Sequence, residues 1–276
     1  MEKYENLILD KERALYGIKN AKIINCKFDG AADGESALKE TNFIDVENCF
    51  FNLRYPLWHT TDGSIKNIIM TENCRAALWY DKNLKITNSR LGGIKAVREC
   101  ENIDIKKSEI NSSEFGWFSN NLKITDTNLI SEYPFLKSKN IEIENLNMKG
   151  KYSFQYTENC IIKNSYLDTK DAFWHSKNVT VINSVVKGEY LAWYSENLKL
   201  INCKIIGTQP LCYAKGLVLE NCEMIDCDLA FEKSEVMASI KGNIISIKNP
   251  EDGFIKADSI GKIILDSKTK CKIMTK

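Results

Sequence analysis

The chain is predicted to be all-β: a single-stranded, right-handed parallel β-helix, a solenoid of about nineteen residues per coil. Three observations predict it. Asn83, Asn102, Asn121, Asn140, Asn159, Asn178 and Asn197 recur every 19 residues. A second series, Asn145, Asn164, Asn183, Asn202 and Asn221, keeps the same interval, and Asn25, Asn48 and Asn88 share its local motif. Apolar residues alternate with variable ones early in each unit, as at Leu198 and Leu200, with another at Ile205. That is the period of a strand, not of a helix. Right-handedness follows the general preference of parallel crossovers.

The coil elements follow in order. Take the unit from Asn178, NVTVINSVVKGEYLAWYSE, with Asn178 as its first place. The first strand ends at the sixth place, Asn183, because Asn tolerates the left-handed backbone of a tight corner. Gly150, Gly188 and Gly207 fill a later corner. Nineteen residues cannot bury an apolar face alone, so each strand must pair in parallel with its copy about 4.8 Å away in the next coil. The last place tests this, since Lys139, Glu158, Lys177, Glu196 and Lys215 alternate in sign. Stacked in register, each charge meets its opposite.

The whole chain, 1–276, reads as one domain of roughly twelve to thirteen coils. Residues 1–19 are a cap or partial coil, 20–233 carry the regular coils, and 234–276 are irregular. The interval from Asn20 to Phe43 implies an insertion at Ala31–Gly34. Asp62–Ser64 is expected as a bulge, Asn249–Gly253 as a loop, and Ser259–Asp266 as a last partial coil. Atypical end coils shield open sheet edges.

Composition narrows function. With 38 basic and 37 acidic residues, interleaved along the chain, nothing is built for nucleic acid or an anionic membrane. No stretch approaches the ~20 apolar residues of a membrane span. The start, MEKYENLILDKERALYG, is too charged for a secretory signal. The ten Cys are therefore expected as free thiols in a reducing cytoplasm. Cys26, Cys49, Cys203 and Cys222 follow the corner Asn where other coils carry Ser89, Ser108, Ser165 or Ser184, so this place calls for a small side chain. Two His and scattered Cys make no metal pattern, and no cofactor is expected. The oligomeric state is left open.

One segment of each coil is aromatic. The sixteenth place holds all five Trp: Trp58, Trp79, Trp117, Trp174 and Trp193. The next place holds His59, Tyr80, Phe118, Tyr156, His175, Tyr194 and Tyr213. The fifteenth place is apolar, as at Leu57, Phe154 and Phe173, and is read as facing inward. Its neighbours are then an outward stripe, or, alternatively, part of the packing between coils. An outward stripe of Trp, Tyr and His suits sugar rings or another small polar ligand. The strongest candidate site is a catalytic pair, Asp171 and His175 as acid and base, with Trp174, Trp193, Tyr152, Tyr156, Tyr190 and Tyr194 binding substrate. A second group is His59 with Tyr80, Trp58 and Glu40, and a third is Arg98, Glu99 and Glu114. A glycosidase normally needs two carboxyl groups across a cleft, and no such close set is visible. Nor is there a phosphate loop, nucleophile elbow or zinc motif.

The Asn corners and apolar stacks resemble the right-handed parallel β-helix of pectate-lyase-like proteins. Repeats such as NLKLINCKIIG and NVTVINSVVKGEYLAWYSE are more similar to an uncharacterised bacterial family of short-coil β-helices, a domain of unknown function. The resemblance spans Asn20 to about Asp266 and implies the fold and a bacterial cytosolic origin. It implies no catalytic residues, while the wider superfamily implies carbohydrate substrates. Three functions compete: a carbohydrate-active enzyme using Asp171 and His175, a non-catalytic glycan or peptide binder using the same stripe, and a scaffold with its Trp packed inside. Whether the protein is an enzyme is left open.

Overall fold

The computed structural model describes every residue except Asp33. The protein is an all-β, right-handed parallel solenoid of about 14 turns with about 19 residues per turn. The count exceeds the twelve to thirteen expected because the chain ends also wind. Glu2–Glu5 pairs in register with Lys19–Ile24, and Asp252–Ile264 pairs with Lys272–Thr275. Two compact units divide the chain, Met1–Glu142 and Ile143–Lys276.

In the first unit one wall is a parallel stack of Glu2–Glu5, Lys19–Ile24, Asn42–Glu47, Thr61–Lys66, Lys82–Thr87, Glu101–Lys106 and Asn120–Ser131. A second wall stacks short strands such as Lys27–Phe28, Phe50–Phe51 and Ile69–Met70. A third pairs Leu57–Trp58, Leu78–Trp79 and Val97–Arg98. In the second unit Glu158–Lys163, Lys177–Ile182, Glu196–Ile201 and Leu217–Ile225 form the equivalent first wall. Tyr166–Asp168, Val185–Lys187 and Lys204–Ile206 form its second.

The Asn repeat has the predicted cause. Asn83, Asn102 and Asn121 each stand at φ 56°, and Asn159, Asn178 and Asn197 at 54–58°. Their amides also bond from coil to coil. Asn102 Nδ2 donates to Asn83 Oδ1 at 2.8 Å, and Asn121 Nδ2 to Asn102 Oδ1 at 2.8 Å. The sixth-place series does the same, as Asn202 does to Asn183 at 3.1 Å. The charge column stacks as expected: Lys177 Nζ lies 3.1 Å from Glu196 Oε2, and Glu196 bridges in register to Lys215.

Three local expectations are corrected. Asp62–Ser64 is not a bulge but part of the regular strand Thr61–Lys66. Asp62 takes the corner place, with φ 55°, and accepts from Asn83 Nδ2 at 2.9 Å. The extra residues of that coil instead form a short 3-10 turn, Glu72–Cys74, capped by Thr71. Gly150 is not a corner but the last residue of the strand Lys139–Gly150. The loop expected at Asn249–Gly253 is shorter, because a strand already starts at Asp252. The insertion proposed at Ala31–Gly34 includes Asp33, which lies outside the described residues.

The core is a set of stacked like residues. Phe28 and Phe51 stack at 4.6 Å with planes 1° apart, and Phe154 and Phe173 at 5.1 Å and 13°. Such pairs add about 0.5–1.5 kcal/mol beyond the area they bury. All ten Cys are buried free thiols. The place after the corner needs more than a small side chain, because its hydroxyl works in both directions. Ser184 Oγ accepts the Ser165 backbone N–H at 3.0 Å and donates to Ile182 O at 2.8 Å. Ser89 and Ser108 repeat the device, and Cys26 N donates to Cys49 Sγ at 3.4 Å. A second such ladder runs along the eighteenth place: Cys100 N donates to Ser119 Oγ at 3.1 Å, and Ser119 N to Ser138 Oγ at 3.0 Å.

Candidate functional site

The aromatic segment owes its shape to a backbone rule the sequence does not announce. At the thirteenth, fifteenth and seventeenth places the chain turns left-handed in successive coils. Asp171, Phe173 and His175 stand at φ 52°, 62° and 54°, and Tyr190, Ala192 and Tyr194 at 54°, 63° and 60°. Each such non-glycine residue costs roughly 1–2 kcal/mol. The N–H groups still bond between coils: His175 N donates to Trp193 O at 3.0 Å, and Phe173 N to Ser153 O at 2.8 Å. The alternation of a strand is lost in consequence. Ala172 and Phe173 both face in, Trp174 and His175 are half-buried on the outer side, and Ser176 turns in again.

The fifteenth place is buried as expected: Leu57, Leu78, Val97, Phe135, Phe154, Phe173 and Leu211 are all within 1% of full burial. The Trp take an intermediate position, forming part of the outer wall. Trp174 and Trp193 stack at 5.5 Å with planes 5° apart. Their indole N–H groups reach the thirteenth-place carbonyl of the following coil, Trp174 to Tyr190 O at 2.7 Å and Trp193 to Gln209 O at 2.9 Å. Trp117 makes the same bond to Tyr133 O.

Outside them runs a column of rings at the seventeenth place. Tyr156 and His175 stack at 4.9 Å, His175 and Tyr194 at 5.0 Å, and Tyr194 and Tyr213 at 5.0 Å. Tyr156 and Tyr194 are 48% and 45% exposed. Tyr190 packs edge-on against Trp193 at 5.5 Å. The second unit thus brings together six of the predicted residues, Tyr156, Trp174, His175, Tyr190, Trp193 and Tyr194. Tyr152 takes the same left-handed place as Tyr190, at φ 54°.

Asp171 differs from its neighbours. It is only 5% exposed and, among the described residues, makes no hydrogen bond or ion pair with His175. Burial pushes its carboxyl above the usual range; Lys170 pulls it back down, and Glu189 adds to the rise.

The two other candidate groups merge in the first unit. Trp58 and Trp79 stack at 5.1 Å, with Lys39 Nζ 4.0 Å over Trp58. His59 and Tyr80 stack beside them at 5.1 Å. Glu40 accepts from the Tyr16 hydroxyl at 2.6 Å. Tyr80's phenol is raised, first by its hydrogen bond to Glu99. Arg98 pairs with Glu99 at 3.1 Å and reaches Glu114 at 4.0 Å. Glu40 is engaged by Tyr16, and Glu99 and Glu114 flank the same guanidinium of Arg98. No cluster of three or more His, Cys, Asp or Glu able to hold a metal occurs among the described residues. Nor, among those residues, is any helix long and apolar enough to cross a membrane.

Fold and outer face together define a parallel β-solenoid protein with a laddered aromatic wall. The chain belongs to the family described as "Protein of unknown function (DUF3737)", whose model matches residues 2–276. No curated protein matches it in sequence. Among solved structures, it is similar to PfbA, a surface adhesin of Streptococcus pneumoniae, at 12% identity and TM-score 0.42, covering 95% of this chain and 82% of that one. It is also similar to an alginate lyase from Paenibacillus sp., at 8% identity and TM-score 0.35, covering 96% and 98%. A third likeness is to the A-module of the mannuronan C-5 epimerase AlgE4 of Azotobacter vinelandii, at 10% identity and TM-score 0.33, covering 87% and 89%. Likeness at this level carries no argument about activity.

Proposed function

We propose that the second unit binds a glycan or similar hydroxyl-rich ligand along the column Tyr156–His175–Tyr194–Tyr213, without turning it over. The observation that carries this reading is the column itself: successive rings 4.9–5.0 Å apart, with Tyr156 and Tyr194 nearly half exposed. A regular row of polar ring edges is a directional recognition surface. The enzymatic form of the reading makes Asp171 the acid and His175 the base. The raised carboxyl suits a proton donor, but the neighbouring carboxylate that acts on it, Glu189, is tied to Lys170 at 3.4 Å.

The test is a binding panel of soluble polysaccharides against the wild type, His175→Ala and Asp171→Asn. Binding lost in His175→Ala and kept in Asp171→Asn, with no product released, is the expected result. Product released by the wild type and not by Asp171→Asn would replace binding with catalysis.

A second reading, a scaffold, has its own support. Trp174 and Trp193 each place one ring face against the other, and their N–H groups bond the next coil's carbonyl. Acrylamide quenching separates the readings. Protection of the indoles by an added polysaccharide favours the binder. Weak quenching that no ligand alters favours the scaffold.

A further inference from the structure

We infer that the ligand of this strip is a charge-neutral, extended polysaccharide, lying parallel to the coil stack of the second unit and held through ring edges, not ring faces. The inference rests on the binding reading above and adds the chemical class and the mode of contact.

Inside the column the ring faces are taken. Tyr156, His175, Tyr194 and Tyr213 lie with neighbouring planes within 8°, 7° and 17° of parallel. Stacking a sugar on a ring needs an open face, and His175 and Tyr194 have a ring on each side. Beyond Tyr213 stands Lys233, its Nζ 5.9 Å from the ring centroid. Solvent therefore meets ring edges: phenol hydroxyls and an imidazole. A phenol both donates and accepts, and a neutral imidazole carries one donor and one acceptor. A polyol is the ligand that can answer both.

The flanks carry no net sign. On one side Lys177 pairs with Glu196 at 3.1 Å, and Glu196 lies in register with Lys215. On the other, Lys170 pairs with Glu189 at 3.4 Å. Lys177 and Lys170 are each paired with a carboxylate on the next coil, and Lys233, at the end of the column, is the single cation there with no ion pair among the described residues. A polyuronate or polyamine would find no run of opposite charge to complement it. A neutral chain has no such requirement.

The spacing is periodic. Polar edges recur once per coil, at the parallel-strand repeat of about 4.8 Å. A row of weak, identical contacts gains affinity by engaging a repeating ligand at several points at once. An extended chain of sugars supplies such points, whereas a single monosaccharide meets only one or two.

The test is calorimetric titration of the full chain with a soluble neutral β-glucan, a polyuronate and a polyamine sugar, each at low and high salt. Three forms are compared: wild type, Tyr194→Phe and Glu196→Lys. Tyr194→Phe removes one hydroxyl and keeps the stack, and its melting temperature checks the fold. The expected result is glucan binding that ignores salt and grows with oligomer length. Tyr194→Phe should weaken it about two- to tenfold. Glu196→Lys should leave glucan binding in place and create salt-sensitive binding of the polyuronate. Salt-sensitive polyuronate or polyamine binding by the wild type overturns the neutral class. Wild-type glucan affinity in Tyr194→Phe overturns edge contact. Absence of binding to all three overturns the binding reading itself, a result distinct from either.

Discussion

Asp81 accepts the backbone N–H of Thr60 at 2.8 Å from inside the first unit. It thereby occupies a rung that Ser119 and Ser138 fill with hydroxyls elsewhere in the same ladder. Its other oxygen is buried without a hydrogen-bond partner among the described residues. Burial drives its pKa well above the carboxylate norm, with backbone hydrogen bonds opposing the rise. A protonated Asp81 is thus the better copy of a serine: one oxygen accepts and the other carries a hydrogen.

This sets a pH dependence. The folded-state pKa is raised, so the folded protein binds the proton more tightly than the unfolded chain does. Asp81's contribution is fully present below the unfolded carboxylate pKa and is lost as pH rises through the folded value. Asp81→Ser should raise stability at neutral pH by about 1–3 kcal/mol, the penalty of an unmatched buried polar group. It should also flatten the decline of stability with rising pH. Urea unfolding across a pH series checks both.

Gly188 should tolerate no side chain. It sits at φ 149°, and an added Cβ would fall 1.3 Å from Thr169 O. Gly188→Ala should cost more than about 2 kcal/mol, since the coil below has to move. Gly17 is the control: its φ is 66° but the space around it is open. Gly17→Ala should cost only about 1 kcal/mol, the price of the left-handed backbone. Thermal unfolding of the two variants separates clash from conformation.

Trp174 can be dissected by size. Trp174→Phe keeps an aromatic face against Trp193 and removes the bond to Tyr190 O. A loss of about 0.5–1.5 kcal/mol is expected. Trp174→Ala removes ring and bond together and should cost about 3 kcal/mol, near the low end for such truncations because the ring is only half-buried. Denaturant midpoints at constant m-value are the measurement.

The Asn corners should obey a similar split. Asn102→Gly loses the amide bonds to Asn83 and Asn121 but keeps an easy left-handed backbone. Asn102→Ala loses both. The Ala variant should be the less stable by about 1 kcal/mol. Equal stability would mean that the amide ladder, and not the backbone, selects Asn.

What could be read from the sequence was whatever has a unique residue preference. Asn at the first and sixth places, and alternating charge at the last, both map onto bonds in the structure. Phe154 and Phe173 were legible as core because nothing polar shares their column. The left-handed run at Asp171, Phe173 and His175 was not legible. Tyr, Phe and His carry no strong signal for that backbone, so strand alternation left open whether the Trp face out or pack between coils. Asp62 was misread for the opposite reason: Asp can replace Asn at a corner, and a single exception looks like a break. Asp81 gave no sign of being buried, since an isolated carboxylate is normally a surface group.

The hydroxyl ladders give the solenoid a direction. A side chain at one turn accepts the N–H of the same place one turn earlier, as Ser184 does for Ser165 and Ser138 for Ser119. Each turn is therefore finished by its successor. A chain emerging from the ribosome always has its most recent turn incomplete, with donors exposed until another nineteen or so residues arrive. A substitution at Ser138 should act backwards, loosening the turn made before it.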